Sequence, residues 1–143
     1  MAIELANRGY DVVGVDLDEV MLSQARSKAP HMTWILGDLS RIHLHRQFDA
    51  IVMAGNVMIF LTPGTEGEVL AYLSVHLKPN GLLLSAFELT PYPWTDLTID
   101  GYDALVEAFG FTKISRWSTW DQDPWHTSDT YAVTLHQKPT NPM

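Results

Sequence analysis

Apolar and polar residues are spaced in two patterns along the chain, and together these patterns predict an alternation of strands and helices. Continuous apolar or β-branched runs of four to eight residues are typical of buried strands. Apolar residues spaced three and four positions apart are typical of one face of a helix. The runs that predict strands are 11–16, 32–36, 48–54, 82–89, 111–117 and 131–137.

Four other stretches predict helices, and local signals indicate where each begins or ends. The first covers 2–7 and ends near Gly9, while Asp18 can cap the second. Thr62-Pro63 opens the third and Asp100 caps the fourth. The apolar residues expected to face the core are Met21, Leu22, Ala25 and Ala29 in the second helix, Val69, Leu70, Leu73 and Leu77 in the third, and Leu105, Val106 and Phe109 in the fourth.

This order of elements predicts a three-layer α/β sandwich with a mostly parallel sheet. No helix separates 111–117 from 131–137, so these two strands are expected to pair antiparallel as a terminal hairpin. Residues 79–81, Pro-Asn-Gly, predict a turn ahead of the fourth strand. The length predicts a single domain over 1–143, with 138–143 as a frayed tail.

Composition narrows the classes of function. Lys and Arg number 9 against 17 Asp and Glu, a formal net charge of −8, which disfavours binding to a nucleic-acid backbone. Cys is 0, which excludes disulfides, Cys-ligated zinc and a thiolate nucleophile. The apolar runs are too short to span a membrane, and the N-terminus lacks the pattern of a secretory signal. We therefore expect a cytoplasmic protein.

Polar residues and glycines follow the predicted strands, where ligands bind in α/β sheets. Asp16 ends the first strand, Asp38 follows the second, Gly55-Asn56 follows the third and Glu88 lies near the end of the fourth. A carboxylate at such a position can accept hydrogen bonds from both hydroxyls of a ribose. Asp16 could instead be a helix cap, but Asp18 is better placed for that role. Asp38 could accept from an adenine amino group or be a turn residue.

Four segments in order carry a family resemblance: VVGVDLDEVMLSQAR, WILGDL, FDAIVMAGNVMIFL and LKPNGLLLSAFEL. This succession resembles the class I S-adenosylmethionine-dependent methyltransferases, and the pair GFTKISRW and TYAVTLHQ is similar to that family's last two strands. The resemblance implies a Rossmann-like fold and S-adenosylmethionine as cofactor. It also implies a ribose contact from Asp16, with Leu17 beside the adenine ring. It further implies an adenine contact around Asp38 and Leu39, with Gly37 also binding the cofactor, and a pocket wall at Ala54, Gly55 and Asn56.

The sequence departs from the family at its start. The family's first strand and the Gly-rich loop that cradles the methionine part of the cofactor are missing. Residues 1–16 resemble the segment that directly follows this loop in the family. That strand would lie between strands 11–16 and 48–54, and about ten lost ladder bonds would cost on the order of 10 kcal/mol. We therefore expect an N-terminally incomplete domain, with Met1 an internal methionine. The alternative is that the two unpaired strands close onto each other or pair with another subunit.

The reaction that the resemblance implies is methyl transfer, with a small molecule as the expected acceptor. Candidate acceptor-pocket residues are Glu88, Tyr92 and Trp94, since aromatic faces can stabilise a sulfonium or stack on a flat acceptor. These aromatic rings could equally pack on the core. No catalytic base is assigned. His43 and His45 could pair on a metal, but only Asp38 or Asp49 is near enough in sequence to supply a third ligand, and no metal site is expected.

Two alternatives stay open at this point. The first is a non-catalytic module of methyltransferase-like fold that serves as a binding partner or scaffold. The second is a nicotinamide-dependent oxidoreductase, because an acid after the second strand of such a fold can also bind a ribose. The Tyr-x-x-x-Lys pair of one such class is absent, since Tyr72 is followed four residues later by His76.

Overall fold

The computed structural model describes residues 1–90 and 92–140, in two compact units, Met1–Ile42 and His43–Met143. The helices are α1 (Ala2–Asn7), α2 (Glu19–Lys28), α3 (Glu66–Val75) and α4 (Ile99–Glu107), with a 3₁₀ helix at Val57–Phe60. The strands are β1 (Val13–Asp16), β2 (Thr33–Leu36), β3 (Phe48–Met53), β4 (Leu77–Glu88), β5 (Thr112–Trp117) and β6 (Tyr131–Gln137). No helix in the described part of the chain is long and apolar enough to cross a membrane.

The first unit is a two-stranded parallel sheet with its helices. β1 pairs with β2 from Val13 opposite Thr33 to Asp16 opposite Leu36. Asp18 caps α2 as predicted, because its carboxylate accepts hydrogen bonds from the amides of the first turn, at 2.9 and 3.4 Å. Leu22 is buried as expected, whereas Met21 is 53% exposed, so the prediction that Met21 faces the core is wrong.

Gly14 in β1 lies directly against the indole ring of Trp34 in β2. A Cβ atom at Gly14 would come within 2.2 Å of the ring atom Cζ3. The ring is held from its other end, since Trp34 Nε1 donates a hydrogen bond to the carbonyl of Ala29 at 2.9 Å. The glycine therefore makes room for the indole that ties β2 to the end of α2.

We expect Gly14→Ala to lower the free energy of unfolding by about 1–3 kcal/mol, because the indole must shift to make room for the methyl group. Chemical denaturation followed by tryptophan fluorescence measures this change. Gly67→Ala is the matched control: Gly67 lies in α3 with open space around its Cβ position, and alanine there should stabilise by about 0.5–1 kcal/mol. Equal stability of Gly14→Ala and the unmodified chain would contradict the packing described for Trp34.

The second unit contains a four-stranded sheet in the order β3-β4-β6-β5. The β3–β4 ladder is parallel, and the β4–β6 and β5–β6 ladders are antiparallel. The predicted antiparallel pairing of the last two strands is thereby confirmed. β6 inserts between β4 and β5, so the end of the chain stabilises the strand that carries Glu88.

β4 begins earlier than its apolar pattern predicts. Phe48 pairs with Leu77 while Ala50 pairs with Leu82, so the register shifts across the Pro-Asn-Gly segment. Asn80 adopts φ +65°, and Gly81 leaves no space for a Cβ atom, which would lie 2.7 Å from the carbonyl oxygen of Lys78. The residues expected to form a turn therefore form an irregularity inside the strand, and Leu77 belongs to β4 rather than to the preceding helix.

Two predictions about the ends of the helices are corrected. α3 begins at Glu66, after a turn in which Thr65 donates to the carbonyl of Thr62 through both its amide and its hydroxyl. The cap of α4 is Thr98, whose hydroxyl accepts from the amide of Gly101 at 3.0 Å, and Asp100 lies in the first turn. A threonine hydroxyl and an aspartate are both good caps, so composition alone does not choose between positions two residues apart.

The core of the second unit contains a polar cluster beneath α4. Tyr102 and Val106 are buried there, whereas Phe109 is 38% exposed, contrary to expectation. Asp103 of α4 contacts the guanidinium of Arg116, and both side chains are about nine-tenths buried. Burial lowers the pKa of the adjacent His136, so its imidazole is neutral at pH 7 and Arg116 is the main partner of Asp103.

Lys138, the first residue of the segment expected to fray, is held by hydrogen bonds. Its ammonium donates to the carbonyls of Ser74 and Leu77 at 2.6 and 2.8 Å, and its amide donates to Gly81. The pKa of Lys138 is lowered by burial. The chain is therefore tied to the end of α3 at this point. The last three residues of the predicted tail lie outside the described part.

Candidate functional site

The carboxylate of Asp16 is presented at the C-terminal end of β1. Its Oδ1 accepts a hydrogen bond from the amide of Asp18 at 3.0 Å, which fixes the side chain over the turn into α2. Within the described residues, Oδ2 accepts no hydrogen bond. Leu17, the next residue, is 70% exposed. Since Asp18 is the helix cap, Asp16 is free for the ligand contact expected from the sequence.

Asp38 follows β2 and combines a turn with a charged side chain. Its Oδ1 accepts from the amide and the hydroxyl of Ser40, at 2.9 and 2.7 Å. These two hydrogen bonds, with a smaller contribution from Arg41, lower the pKa of Asp38 and keep the carboxylate ionised. The turn interpretation is therefore correct. The carboxylate is also exposed, so the adenine contact is compatible with this geometry.

Neighbouring residues shape the same strand ends. The amide of Gly37 donates to the carbonyl of Asp16 at 3.0 Å, which holds the two strand ends together. A Cβ atom at Gly37 would come within 2.8 Å of the Ile42 side chain. Leu39 is half-buried in the turn that follows. All five residues predicted in this unit (Asp16, Leu17, Gly37, Asp38 and Leu39) therefore lie at or directly after the C-terminal ends of two paired parallel strands.

In the second unit, the loop after β3 takes a left-handed conformation. Gly55 and Asn56 have φ of +73° and +65°, directly after Ala54. The Asn56 side-chain oxygen accepts from the amide of Glu88 at 2.8 Å, and the Asn56 amide donates to the carbonyl of Ala86 at 3.3 Å. Asn56 thus ties the loop to the end of the neighbouring strand, while nothing lies within 4 Å of the Cβ position of Gly55. The backbone at Gly55 is open to close approach by a ligand.

Three aromatic rings follow one another beside Glu88. Trp94 stacks on Tyr92 with ring centroids 4.5 Å apart and on Phe60 with centroids 6.1 Å apart. We call Tyr92, Trp94 and Phe60 the aromatic row. Trp94 Nε1 donates to the carbonyl of Ile59 at 2.9 Å, which fixes the indole. Trp94 is 44% and Phe60 64% exposed, so the alternative that Trp94 packs into the core is wrong.

Glu88 and Tyr92 form a directly bonded pair at the start of this row. The phenol of Tyr92 donates to Glu88 Oε2 at 2.5 Å. This bond to an acidic group raises the pKa of Tyr92. The structure therefore brings together the three predicted acceptor-pocket residues. It adds Phe60, which ends the 3₁₀ helix Val57–Phe60, an element that the sequence pattern does not predict.

His43, His45 and His76 of the second unit contact one another and the backbone rather than the aromatic row. The rings of His43 and His45 lie 4.3 Å apart, while His76 Nε2 accepts from the amide of Leu44 at 2.9 Å. His76 Nδ1 lies 2.6 Å from the carbonyl oxygen of Tyr72. Across residues 1–90 and 92–140, no group of three or more His, Cys, Asp or Glu side chains is placed to hold a metal ion.

Comparisons with known proteins identify methyltransferases as similar in sequence and in fold. A family model described as a methyltransferase domain matches residues 1–81. The chain is 31% identical over 93 residues to the dTDP-3-amino-3,4,6-trideoxy-alpha-D-glucopyranose N,N-dimethyltransferase of Streptomyces venezuelae, covering 64% of this chain and 38% of that protein. It is 37% identical over 91 residues to YqeM of Bacillus subtilis (strain 168), covering 59% of this chain and 36% of that protein. The chain thus spans just over a third of the length of these two curated relatives.

A solved structure matches more of the chain. The TehB-like SAM-dependent methyltransferase of Corynebacterium glutamicum superimposes with a TM-score of 0.86 at 28% identity, covering 96% of this chain and 73% of that one. This confirms the Rossmann-like α/β fold of class I methyltransferases that the sequence predicts. Because the family model covers more than half of the residues, the chain belongs to the methyltransferase domain family.

Proposed function

We propose that this chain binds S-adenosylmethionine, the cofactor of its family, and takes part in methyl transfer to a small-molecule acceptor. The observation that carries the proposal is Asp16, an exposed carboxylate at a strand end that keeps one oxygen without a protein partner among the described residues. Asp16 Oδ1 supports the turn into α2, but a separate residue, Asp18, caps that helix, so the second oxygen of Asp16 is left for a ligand.

The chemistry of the available groups fits this cofactor. A ribose diol offers two hydroxyl donors, which suit a carboxylate acceptor such as Asp16. Leu17 offers an exposed apolar side chain for the adenine ring, and the ionised Asp38 can accept from the adenine amino group. Gly37 and Leu39 flank that carboxylate. In the other unit, Ala54, Gly55 and Asn56 supply the open backbone expected of a pocket wall.

Methyl transfer demands positioning more than acid–base chemistry. The bound sulfonium supplies an activated methyl group for in-line displacement, so the protein's task is to orient the acceptor and exclude water. A base is needed where the acceptor arrives protonated. Glu88, at the end of β4, and Tyr92, in the loop that follows, are the groups of this unit that we propose for contact with an acceptor.

A small-molecule acceptor is favoured over a nucleic acid. The net charge of −8 opposes binding to a phosphate backbone. The relative from Streptomyces venezuelae, by its name, methylates the nitrogen of a nucleotide-linked amino sugar. As in the sequence-based expectation, the outer edges of β1 and β3 could also pair with another copy of the chain, so self-association is part of the proposal.

Calorimetric titration of the chain with S-adenosylmethionine, S-adenosylhomocysteine and, as control, a nicotinamide dinucleotide tests the proposal. We expect dissociation constants in the micromolar range for the first two, about 8 kcal/mol of binding free energy, and no heat from the third. Binding of the dinucleotide alone would favour the oxidoreductase alternative. A folded chain that binds none of the three would favour the non-catalytic module.

A further inference from the structure

We propose that Glu88 and the aromatic row form an ammonium-binding subsite, so that the acceptor is an aliphatic amine methylated on nitrogen. The inference rests on the proposed function and names its acceptor class. It combines three observations within the second unit: partly exposed stacked rings, a carboxylate beside them, and the absence of lysine and arginine from residues 79–112, which carry Glu88, Tyr92 and Trp94.

The aromatic row is held in place and is partly exposed to solvent. Trp94 is clamped by its hydrogen bond to Ile59 and by stacking on Tyr92, yet it remains 44% exposed. Phe60 extends the row and is 64% exposed. Rings that serve only the core are normally covered, whereas a fixed ring that is partly exposed can attract a cation within about 6 Å of its centroid through its quadrupole.

Glu88 adds a fixed negative charge at one end of the row. Its backbone amide is held by Asn56, and its Oε2 accepts the phenol proton of Tyr92. Within the described part of the chain, Oε1 accepts no hydrogen bond. An ammonium can donate to Oε1 while its carbon skeleton lies on the rings, a combination that a neutral hydroxyl or an anionic group cannot match.

The surrounding sequence has no competing cation. Residues 47–77 and 79–112, which contain both strand ends and the whole row, include no lysine and no arginine. Lys78, between the two ranges, lies at the start of β4 and pairs with Asp49 at 3.2 Å. They include eight acidic residues: Asp49, Glu66, Glu68, Glu88, Asp96, Asp100, Asp103 and Glu107. A ligand ammonium would therefore be the positive partner of Glu88 at this edge of the sheet.

The subsite also defines a balanced reaction. The bound R–NH₃⁺ loses one proton to Glu88 Oε1, which passes it to solvent, and the N–H electron pair stays on nitrogen. That pair forms the new N–CH₃ bond as the S–CH₃ bond of the sulfonium breaks, with its electrons left on sulfur. The products are R–NH₂–CH₃⁺, a neutral sulfide and the released proton.

The test uses the indole N–H signal of Trp94 in ¹H–¹⁵N spectra of the full chain, identified by its loss in Trp94→Leu. The probe is cyclohexylamine, protonated at neutral pH, and the matched neutral compound is cyclohexanol. We expect cyclohexylammonium to shift this signal saturably at millimolar concentration, and cyclohexanol to bind at least about tenfold more weakly. Glu88→Gln should weaken the ammonium about tenfold, to the level of the alcohol.

Control variants separate the subsite from general effects. Glu107→Gln removes an exposed carboxylate elsewhere in the unit, and Trp120→Leu removes another partly exposed indole; neither should change binding of the probe. Equal binding of amine and alcohol, no saturable shift, or no effect of Glu88→Gln in a folded protein would each overturn the inference. Calorimetry with S-adenosylhomocysteine on the same sample tests cofactor binding separately. A chain that binds this ligand but not the amine would overturn the subsite and leave the proposed function standing.

Discussion

Replacing Asp103 with alanine is expected to lower the free energy of unfolding by about 3–5 kcal/mol, because the change leaves a buried guanidinium without its partner. Arg116 is 9% exposed, and its other described side-chain bond goes to the hydroxyl of Thr134 at 2.9 Å. Lys113 also loses its contact with Asp103, at 3.3 Å, but is more exposed and contributes less. Total stabilities of domains are about 5–15 kcal/mol, so this loss would be a large fraction of the whole.

Urea denaturation measures the effect, and a second substitution identifies its cause. Asp103→Leu combined with Arg116→Met removes both charges and should restore much of the stability lost in Asp103→Ala. Glu107→Ala, at the exposed end of the same helix, should change stability by no more than about 0.5 kcal/mol. If Asp103→Ala keeps the midpoint of the unmodified chain, the buried pair does not contribute as described.

Asp16→Ala is expected to weaken binding of S-adenosylhomocysteine by about 1–3 kcal/mol, or roughly 5- to 150-fold, through loss of the ribose contact. Titration calorimetry measures the affinity. The 2′-deoxy analogue of the ligand provides the decisive comparison, because it lacks one hydroxyl and should lose less affinity on the same substitution.

Asp18→Ala is the matched control for Asp16. It removes the cap of α2, at a cost of about 1 kcal/mol in stability, without removing the Asp16 carboxylate that we propose to contact the ribose. The affinities for the parent ligand and its deoxy analogue should then change together. An unchanged affinity in Asp16→Ala would remove the observation on which the proposed function rests.

The elements with strong local signals were predictable from the sequence. Asp18 is an example, because a good capping residue there directly precedes a helical pattern and can be assigned as the cap of α2. Asp16 is then not needed as a cap and remains a candidate for ligand binding. Strands β1, β2 and β3 are short apolar runs with clear polar boundaries, and their predicted ends differ from the observed ones by at most two residues. Once the C-terminal ends of the strands are predicted, Asp16, Asp38 and Glu88 follow as the acidic residues at or near those ends.

Features that depend on distant contacts could not be predicted in the same way. The segment 79–81 has the composition of a turn, and its place within β4 follows from pairing with β3 some thirty residues earlier. The position of Phe60 beside Trp94 likewise depends on packing between a 3₁₀ helix and a later loop. Tyr102 is buried because α4 presents it to Phe87, with the two rings 5.3 Å apart. Side-chain periodicity carries no information about such long-range neighbours.

The hydrogen bond from the Glu88 amide to the Asn56 side chain has a consequence for how two ligands would influence each other. A ligand that orders the Gly55-Asn56 loop also immobilises the start of the Glu88 segment, so a second ligand at Glu88 has less conformational entropy to lose. Cofactor and acceptor would then bind with positive cooperativity. Thermodynamic reciprocity requires each to raise the affinity of the other by the same factor. Through the Asn56 side chain, the protein with one ligand bound would have a higher affinity for the second ligand than the free protein has.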